Sequence, residues 1–202
     1  MQTPSKRAID LIVSFEVTDE ATYKAKYQHT EWPGGASGVT IGIGYDLGYA
    51  TKVQIAKDWA GQLPDAMIAV LKTASGVTGD PAKALAKSMT TSVTVPWNIA
   101  NAVFAVATLP DTNRAVIKAL ANTDQLSGDS FGAMVSLVYN RGASFTKTGP
   151  RFIEMNNIKN HMSIKAFSKI PDELLHMQRL WPTVPGLQRR RREESALFSA
   201  GL

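Results

Sequence analysis

The sequence is organised around residues 34–48, which read Gly34-Gly35-Ala36-Ser37-Gly38-Val39-Thr40-Ile41-Gly42-Ile43-Gly44-Tyr45-Asp46-Leu47-Gly48. Apolar side chains at 39, 41, 43 and 45 alternate with Thr40, two glycines and Asp46. A period of two predicts extended chain with one apolar face. The opposite face carries only small or reactive groups, which suits a surface that a ligand approaches closely. A glycine-rich hairpin that merely turns the chain fits the same pattern.

The composition indicates a folded protein. The chain has 202 residues, of which 44% are hydrophobic and 19% are charged. This length predicts one domain, or two small lobes that share a long helix, and the low charge content argues against disorder. The net charge of +5 favours a polyanionic neighbour, such as nucleic acid, anionic lipid or a cell-wall polymer.

Two features bear on where the protein acts. The absence of cysteine excludes disulfides, zinc–thiolate sites and a cysteine nucleophile. The apolar cluster of residues 9–13 is too short for a signal peptide or a membrane anchor. We therefore expect synthesis in the cytoplasm without a signal peptide and no stable membrane insertion, and delivery by another component if the protein acts outside the cytosol.

Apolar periodicity predicts a mostly helical chain. The segment 91–95 is compatible with a strand or with a loop that leads into the next helix. The segment 97–108 is apolar nearly all round and too short to span a bilayer, which predicts a buried core helix. The predicted helices cover residues 5–17, 53–63, 64–73, 82–89, 97–108, 111–121, 129–140, 150–157, 163–170, 171–180 and 187–199.

Glu16 lies near the apolar stripe at the C-terminal end of the first predicted helix. The helix dipole disfavours negative charge there, and burial disfavours it too. Both effects favour the protonated carboxyl that a general acid needs. An exposed glutamate at a helix end fits the same position.

Several common sites are not predicted. The three histidines have no metal-ligand spacing, so we expect no metal and no cofactor. The run Arg189-Arg190-Arg191-Arg192 precedes Glu193-Glu194, which places Arg189 and Arg190 one helical turn from a carboxylate. This pattern predicts either a solvated, self-paired helix face or a contact for an anionic polymer. No nucleic-acid-binding motif surrounds it, so we expect no nucleic-acid partner.

The remaining candidates are the acids around the glycine-rich stretch, Glu16, Glu31 and Asp46. Two carboxylates about 6.5–9.5 Å apart can hydrolyse a glycosidic bond with inversion, and the Thr40 hydroxyl can position the water. In a straight strand Thr40 and Asp46 would lie roughly 20 Å apart. They can act on one water only if the chain reverses near residues 43–45.

These features together resemble the phage-type lysozymes of glycoside hydrolase family 24. A helix ending in Glu16 and the hairpin Thr40-Ile41-Gly42-Ile43-Gly44-Tyr45 resemble the catalytic opening of that family. Residues 133–142, which read Ala-Met-Val-Ser-Leu-Val-Tyr-Asn-Arg-Gly, resemble its central buried helix. Trp181 and residues 186–198 resemble its closing helix.

One position departs from that family. Typical members have an aspartate shortly before the hairpin threonine, where this chain has Gly34. Asp46, which follows Thr40, is similar to the arrangement in pesticin-type bacteriocin muramidases. The resemblance implies that Glu16 is the general acid, that Asp46 activates water and that Thr40 positions it. Glu31 is the reserve candidate for the second carboxylate.

The resemblance implies a mostly α, α+β lysozyme-like fold of residues 1–202, with a small hairpin lobe at about 18–60 and a larger helical lobe. The implied activity is hydrolysis of the β-1,4 bond between N-acetylmuramic acid and N-acetylglucosamine in peptidoglycan. We expect Tyr45, Trp32, Asn140 and Arg141 to bind substrate and the protein to act as a monomer on glycan strands of the cell wall. A lytic transglycosylase that uses Glu16 alone and a wall-binding module without catalysis are the alternatives.

Overall fold

A computed structural model describes residues 2–202 and has a mostly helical α+β architecture. The chain divides into two compact units. The hairpin unit is Glu16–Pro110, and the helical unit combines the described residues up to Phe15 with Asp111–Leu202. The predicted hairpin lobe, residues 18–60, falls within the hairpin unit. No helix among residues 2–202 is long and apolar enough to cross a membrane.

The hairpin unit contains the only sheet in the described part of the chain. Strands β1 (Thr40–Ile41) and β2 (Tyr45–Asp46) pair antiparallel, with Thr40 opposite Asp46. Gly42 and Gly44 have φ values of +60° and +68°, which glycine adopts without strain, so the chain reverses between the strands. The required reversal is confirmed, and both strands are shorter than the alternating pattern suggested.

Helices precede and follow this hairpin in the chain. The last two residues of α1 (Lys6–Val17) belong to the hairpin unit, and an unpredicted helix, α2 (Glu20–Lys26), follows. Asp19 caps α2 by accepting the Thr22 N–H. The later helices are α3 (Lys52–Trp59), α4 (Asp65–Lys72), α5 (Asp80–Met89) and α6 (Trp97–Val103).

The alternating apolar residues supply the core of this unit. Val39, Ile41, Ile43 and Leu47 are all at most 2% exposed. Trp59 of α3 is also buried and meets the Tyr45 ring edge to face at 5.4 Å. The period of two therefore predicted the buried face correctly although little of the segment is regular strand. Residues 91–95 form a loop, the second of the two alternatives, in which Val93 and Val95 are fully buried.

The prediction of one buried helix over 97–108 is wrong. α6 ends at Val103 and continues as a π-helical turn, Phe104–Thr108, in which Val106 is 68% exposed. The wider π turn rotates successive side chains differently from an α-helix. Apolar composition alone does not reveal this change of pitch.

The helical unit contains the remaining elements. The central helix α8 is buried along Ser130–Val138, packs against α11 and is capped by Gly142. The helices predicted over 129–140 and 187–199 are thus confirmed. Besides most of α1, the helices are α7 (Leu109–Ala119), α8 (Gly128–Arg141), α9 (Ile153–Ser163), α10 (Ile170–His176) and α11 (Pro185–Ala200), with 3-10 turns at Thr123–Gln125, Pro150–Phe152, Phe167–Lys169 and Met177–Leu180.

The arginine run at the start of α11 is only partly a solvated face. Arg189 pairs with Glu193 at the surface, as predicted. Arg190 and Arg191 are 3% and 0% exposed, and both donate to Oε1 of the fully buried Glu194. The predicted pairing of Arg190 is confirmed, but its predicted solvation is wrong because α11 packs this side against α8.

Candidate active site

The hairpin unit contains a cleft of about 390 Å³. The three predicted acids, Glu16, Glu31 and Asp46, all line it together with Thr40. The chain therefore brings together, from four different segments, the groups that the sequence singled out. The complete lining is Glu16, Val17, Tyr27, His29, Glu31, Pro33, Thr40, Ile41, Gly42, Gly44 and Asp46.

Backbone pairing sets three of these side chains in one row. Thr40 lies opposite Asp46 in the hairpin and opposite Glu31 in a separate antiparallel bridge. Glu31 and Thr40 exchange both backbone hydrogen bonds, at 2.9 and 2.8 Å. Directly opposed residues project their side chains to the same face. Paired residues have Cα atoms roughly 4.5–5.5 Å apart. Glu31 and Asp46 therefore lie on either side of Thr40, with about 10 Å between their Cα atoms.

Asp46 is held by the backbone of its own hairpin. Its Oδ2 accepts the Gly38 N–H at 3.0 Å, and its Oδ1 accepts the Gly48 N–H at 2.9 Å. A Cβ atom on Gly38 would lie 2.3 Å from Asp46 Oδ1 and 2.5 Å from the Gly48 Cα atom. Glycine at these positions is therefore required by close approach, and the carboxylate is fixed in orientation.

Thr40 presents a hydroxyl with unused hydrogen-bonding capacity. Its Oγ1 is shielded from bulk solvent and has no hydrogen-bond partner among residues 2–202. A buried hydroxyl without a partner is costly, typically about 1–3 kcal/mol. Its position between two carboxylates suits it to orient a small polar ligand such as water.

Glu31 differs electrostatically from Asp46. Its carboxylate makes no hydrogen bond or ion pair with the described residues. Burial raises the pKa of Glu31 above its ordinary value, and the positive charge of Lys26 opposes this rise. Burial thus disfavours the ionised form of the Glu31 carboxyl, and Lys26 partly offsets this effect.

Glu16 reaches the cleft from the last turn of α1. The helix ends just beyond it because Thr18 adopts φ +66°, a left-handed conformation that β-branched residues rarely take. Such a conformation costs on the order of 1–3 kcal/mol and often accompanies functional sites. The strained turn fixes the place at which α1 presents Glu16.

The four predicted substrate-binding residues are divided between the two units. Tyr45 is buried against Trp59, its hydroxyl donates to Asp58, and it lies outside the cleft lining. Trp32 borders a groove next to the cleft. Asn140 and Arg141 belong to the helical unit.

Arg141 is part of a cationic cluster at the end of α8. Its guanidinium lies over the Trp181 ring at 5.1 Å and donates to the Arg151 carbonyl. Burial lowers its pKa to about 10, with contributions from Arg191 and Arg151. Asn140 accepts a hydrogen bond from Arg191. These contacts give Asn140 and Arg141 structural partners within their own unit.

The site also contains residues to which the sequence motifs assigned no role. Tyr27 and His29 also line the cleft, and His29 Nδ1 lies 3.0 Å from the Val93 carbonyl. A carbonyl only accepts, so this ring nitrogen carries the proton. Gly38 and Gly48 could have been found from the glycine spacing around Asp46. No group of three potential metal ligands occurs among residues 2–202.

The fold and the cleft define a mostly helical α+β protein with three acids around a threonine hydroxyl. The sequence profile of a domain of unknown function, DUF8812, matches residues 12–133, which is more than half of the chain and includes every residue of the cleft. The chain belongs to this family. No curated protein matches the sequence.

Proposed function

We propose that the chain is a peptidoglycan muramidase with a lysozyme-like fold. The substrate is the β-1,4 bond between N-acetylmuramic acid and N-acetylglucosamine. The observation that carries the proposal is the grouping of Glu16, Glu31, Thr40 and Asp46 around one cleft. The resemblance of the Glu16 helix, the hairpin and the two later helices to phage-type lysozymes supports it.

The proposed mechanism uses two carboxyl groups on opposite sides of the sugar. Glu16 gives its proton to the glycosidic oxygen as the bond to the anomeric carbon breaks. A water molecule attacks that carbon from the opposite face and loses a proton to Asp46, while Thr40 orients the water. The product has the inverted configuration. No cofactor takes part.

Asp46 is proposed as the water-activating group because its orientation is fixed. An ionised carboxylate offers about four lone-pair directions. The Gly38 and Gly48 N–H groups use two of them, so two remain for water. Glu31 is the alternative second carboxylate, since it also borders Thr40 and has no competing hydrogen bond.

The cellular setting follows from the proposed substrate. The net charge of +5 favours retention on an anionic wall. We propose that the protein is a monomer, is made in the bacterial host cytoplasm and acts on peptidoglycan in the periplasm or outside. Delivery through a holin, as for an endolysin, and delivery as an antibacterial toxin both fit this setting.

Loss of turbidity of purified peptidoglycan tests the proposal. Glu16→Gln is expected to lower the rate by at least 100-fold, because general acid catalysis contributes about 10²–10⁴-fold. Asp46→Asn and Glu31→Gln, assayed beside it, identify the second carboxylate by the larger loss. Equal rates for wild type and Glu16→Gln would remove Glu16 from the mechanism. Wall binding without any lysis by the wild type would instead favour the binding module.

A further inference from the structure

The second groove of the hairpin unit adjoins the cleft. Its volume is about 340 Å³, and Glu31 lines both the cleft and the groove. The aromatic and cationic side chains of the groove come from Trp32 and from two lysines of α5, Lys83 and Lys87. All of these residues belong to the hairpin unit. A ligand held in the cleft at Glu31 therefore has this groove beside it.

Trp32 is fixed as one wall of the groove. Its indole N–H donates to the Ser37 carbonyl at 3.1 Å, which orients the ring. The Lys83 ammonium lies over the ring, 5.4 Å from its centre. A cation–π contact of this kind is worth about 0.5–1 kcal/mol at an exposed site, which favours this position of the Lys83 side chain.

The two lysines are a matched pair of unneutralised cations. Lys83 and Lys87 are exposed, lie one turn apart on α5 and make no ion pair with the described residues. Like charges at this spacing destabilise a helix. The threonine hydroxyls of the groove, on Thr30 and Thr90, are already bonded to the Ala86 carbonyl. Besides the Glu31 carboxylate, the free polar groups of the groove are therefore the two ammonium groups, so cations outnumber the one anion.

We propose that this groove is a subsite for the carboxylates of the peptide stem that peptidoglycan carries on its muramic acid. The inference rests on the proposed function. The Trp32 face would pack against the saccharide or the first part of the stem, and Lys83 and Lys87 would bind the stem carboxylates. The groove thereby gives preference for stem-bearing glycan over bare glycan.

The test compares two soluble ligands by isothermal titration calorimetry or by NMR titration. One is the disaccharide with a tetrapeptide stem, and the other is the same disaccharide without the stem. An exposed ion pair is worth about 1.4- to 5-fold in an equilibrium constant. The double variant Lys83→Met/Lys87→Met is therefore expected to weaken binding of the stem-bearing ligand by about 2- to 25-fold and to abolish its advantage over the bare ligand.

A matched control removes the same charge elsewhere. Lys52 and Lys57 are exposed on α3 of the same unit and line neither the cleft nor the groove. The variant Lys52→Met/Lys57→Met should keep the full preference. Raising the salt concentration should weaken the stem-bearing ligand more than the bare ligand in wild type and control, because the bare ligand keeps only the lactyl carboxylate of its muramic acid.

The possible outcomes distinguish the stem subsite from the proposed hydrolysis of peptidoglycan. An unchanged preference in Lys83→Met/Lys87→Met, or an equal loss in the control, overturns the subsite while hydrolysis of peptidoglycan by the wild type still stands. Failure of the wild type to lyse peptidoglycan and to bind either ligand overturns the proposed function and the subsite with it.

Discussion

Asp46→Asn is expected to destabilise the folded protein as well as to lower its rate of peptidoglycan lysis. The carboxylate accepts one backbone N–H on each oxygen, from Gly38 at 3.0 Å and from Gly48 at 2.9 Å. An asparagine keeps one acceptor oxygen and places an NH2 group against the other N–H. A hydrogen bond to a charged group is worth about 1.5–3 kcal/mol, and a buried donor left without a partner adds to the loss. The expected destabilisation is about 2–4 kcal/mol.

Thermal unfolding followed by circular dichroism measures this loss. For a chain of this size about 2–4 °C accompanies each kcal/mol, so the midpoint should fall by roughly 4–16 °C. Glu31→Gln is the matched control, because Glu31 lines the same cleft and its carboxylate has no hydrogen bond to lose. An Asp46→Asn protein that unfolds at the wild-type temperature would refute the role of Asp46 in holding the hairpin.

Three further changes test the packing and the electrostatics. Gly38→Ala places a Cβ 2.3 Å from Asp46 Oδ1, so it should cost about 1–3 kcal/mol in urea unfolding and lower the lytic rate. Glu194→Gln leaves two buried guanidinium groups without their carboxylate and should cost about 3–5 kcal/mol, whereas Glu193→Gln at the surface should cost less than about 1 kcal/mol. Glu31→Gln should slightly raise the urea midpoint at pH 7, and the difference should vanish below about pH 4.

The stabilisation expected for Glu31→Gln at pH 7 reflects the linkage between proton binding and folding. Burial raises the folded-state pKa of Glu31 above its unfolded value, so the folded chain binds this proton more tightly. The resulting penalty is present above the folded-state pKa and disappears as the pH falls below the unfolded value, about 4.3. The gain in the free energy of unfolding when Gln replaces Glu31 is small, because the carboxyl group is partly exposed. A Glu31→Gln protein that is less stable than wild type at pH 7 contradicts this assignment.

Equal costs for the two glutamate substitutions on α11 would contradict the buried ion-pair network. Unchanged stability of Gly38→Ala would mean that the hairpin can move away from the added methyl group. In both cases circular dichroism at 25 °C provides the control that the variants compared are folded.

The hairpin was the most predictable part of the site. The alternation of apolar residues fixed which side chains are buried, and glycines at 42 and 44 marked the reversal. The requirement that Thr40 and Asp46 face one another followed from the proposed chemistry and is met by their direct pairing. The bridge between Glu31 and Thr40 could not be predicted, because it joins the hairpin to an irregular segment without periodicity.

The arginine run illustrates a limit of local patterns. Spacing along α11 correctly predicted that Arg190 pairs with Glu194. It could not predict burial, since that depends on α8, which lies far away in sequence and supplies Ser136 as a further partner. The groove beside Trp32 was missed for the same reason. Lys83 follows Trp32 by about fifty residues and meets it only in the folded chain.

Mass spectrometry of the soluble products from purified peptidoglycan tests the central claim most directly. Wild-type protein is predicted to release muropeptides that end in a reducing N-acetylmuramic acid, and Glu16→Gln is predicted to release at least 100-fold less of them under the same conditions. Products that end in 1,6-anhydro-N-acetylmuramic acid would contradict hydrolysis and assign the cleft to a lytic transglycosylase. Absence of any soluble product from the wild type would contradict the proposed enzyme.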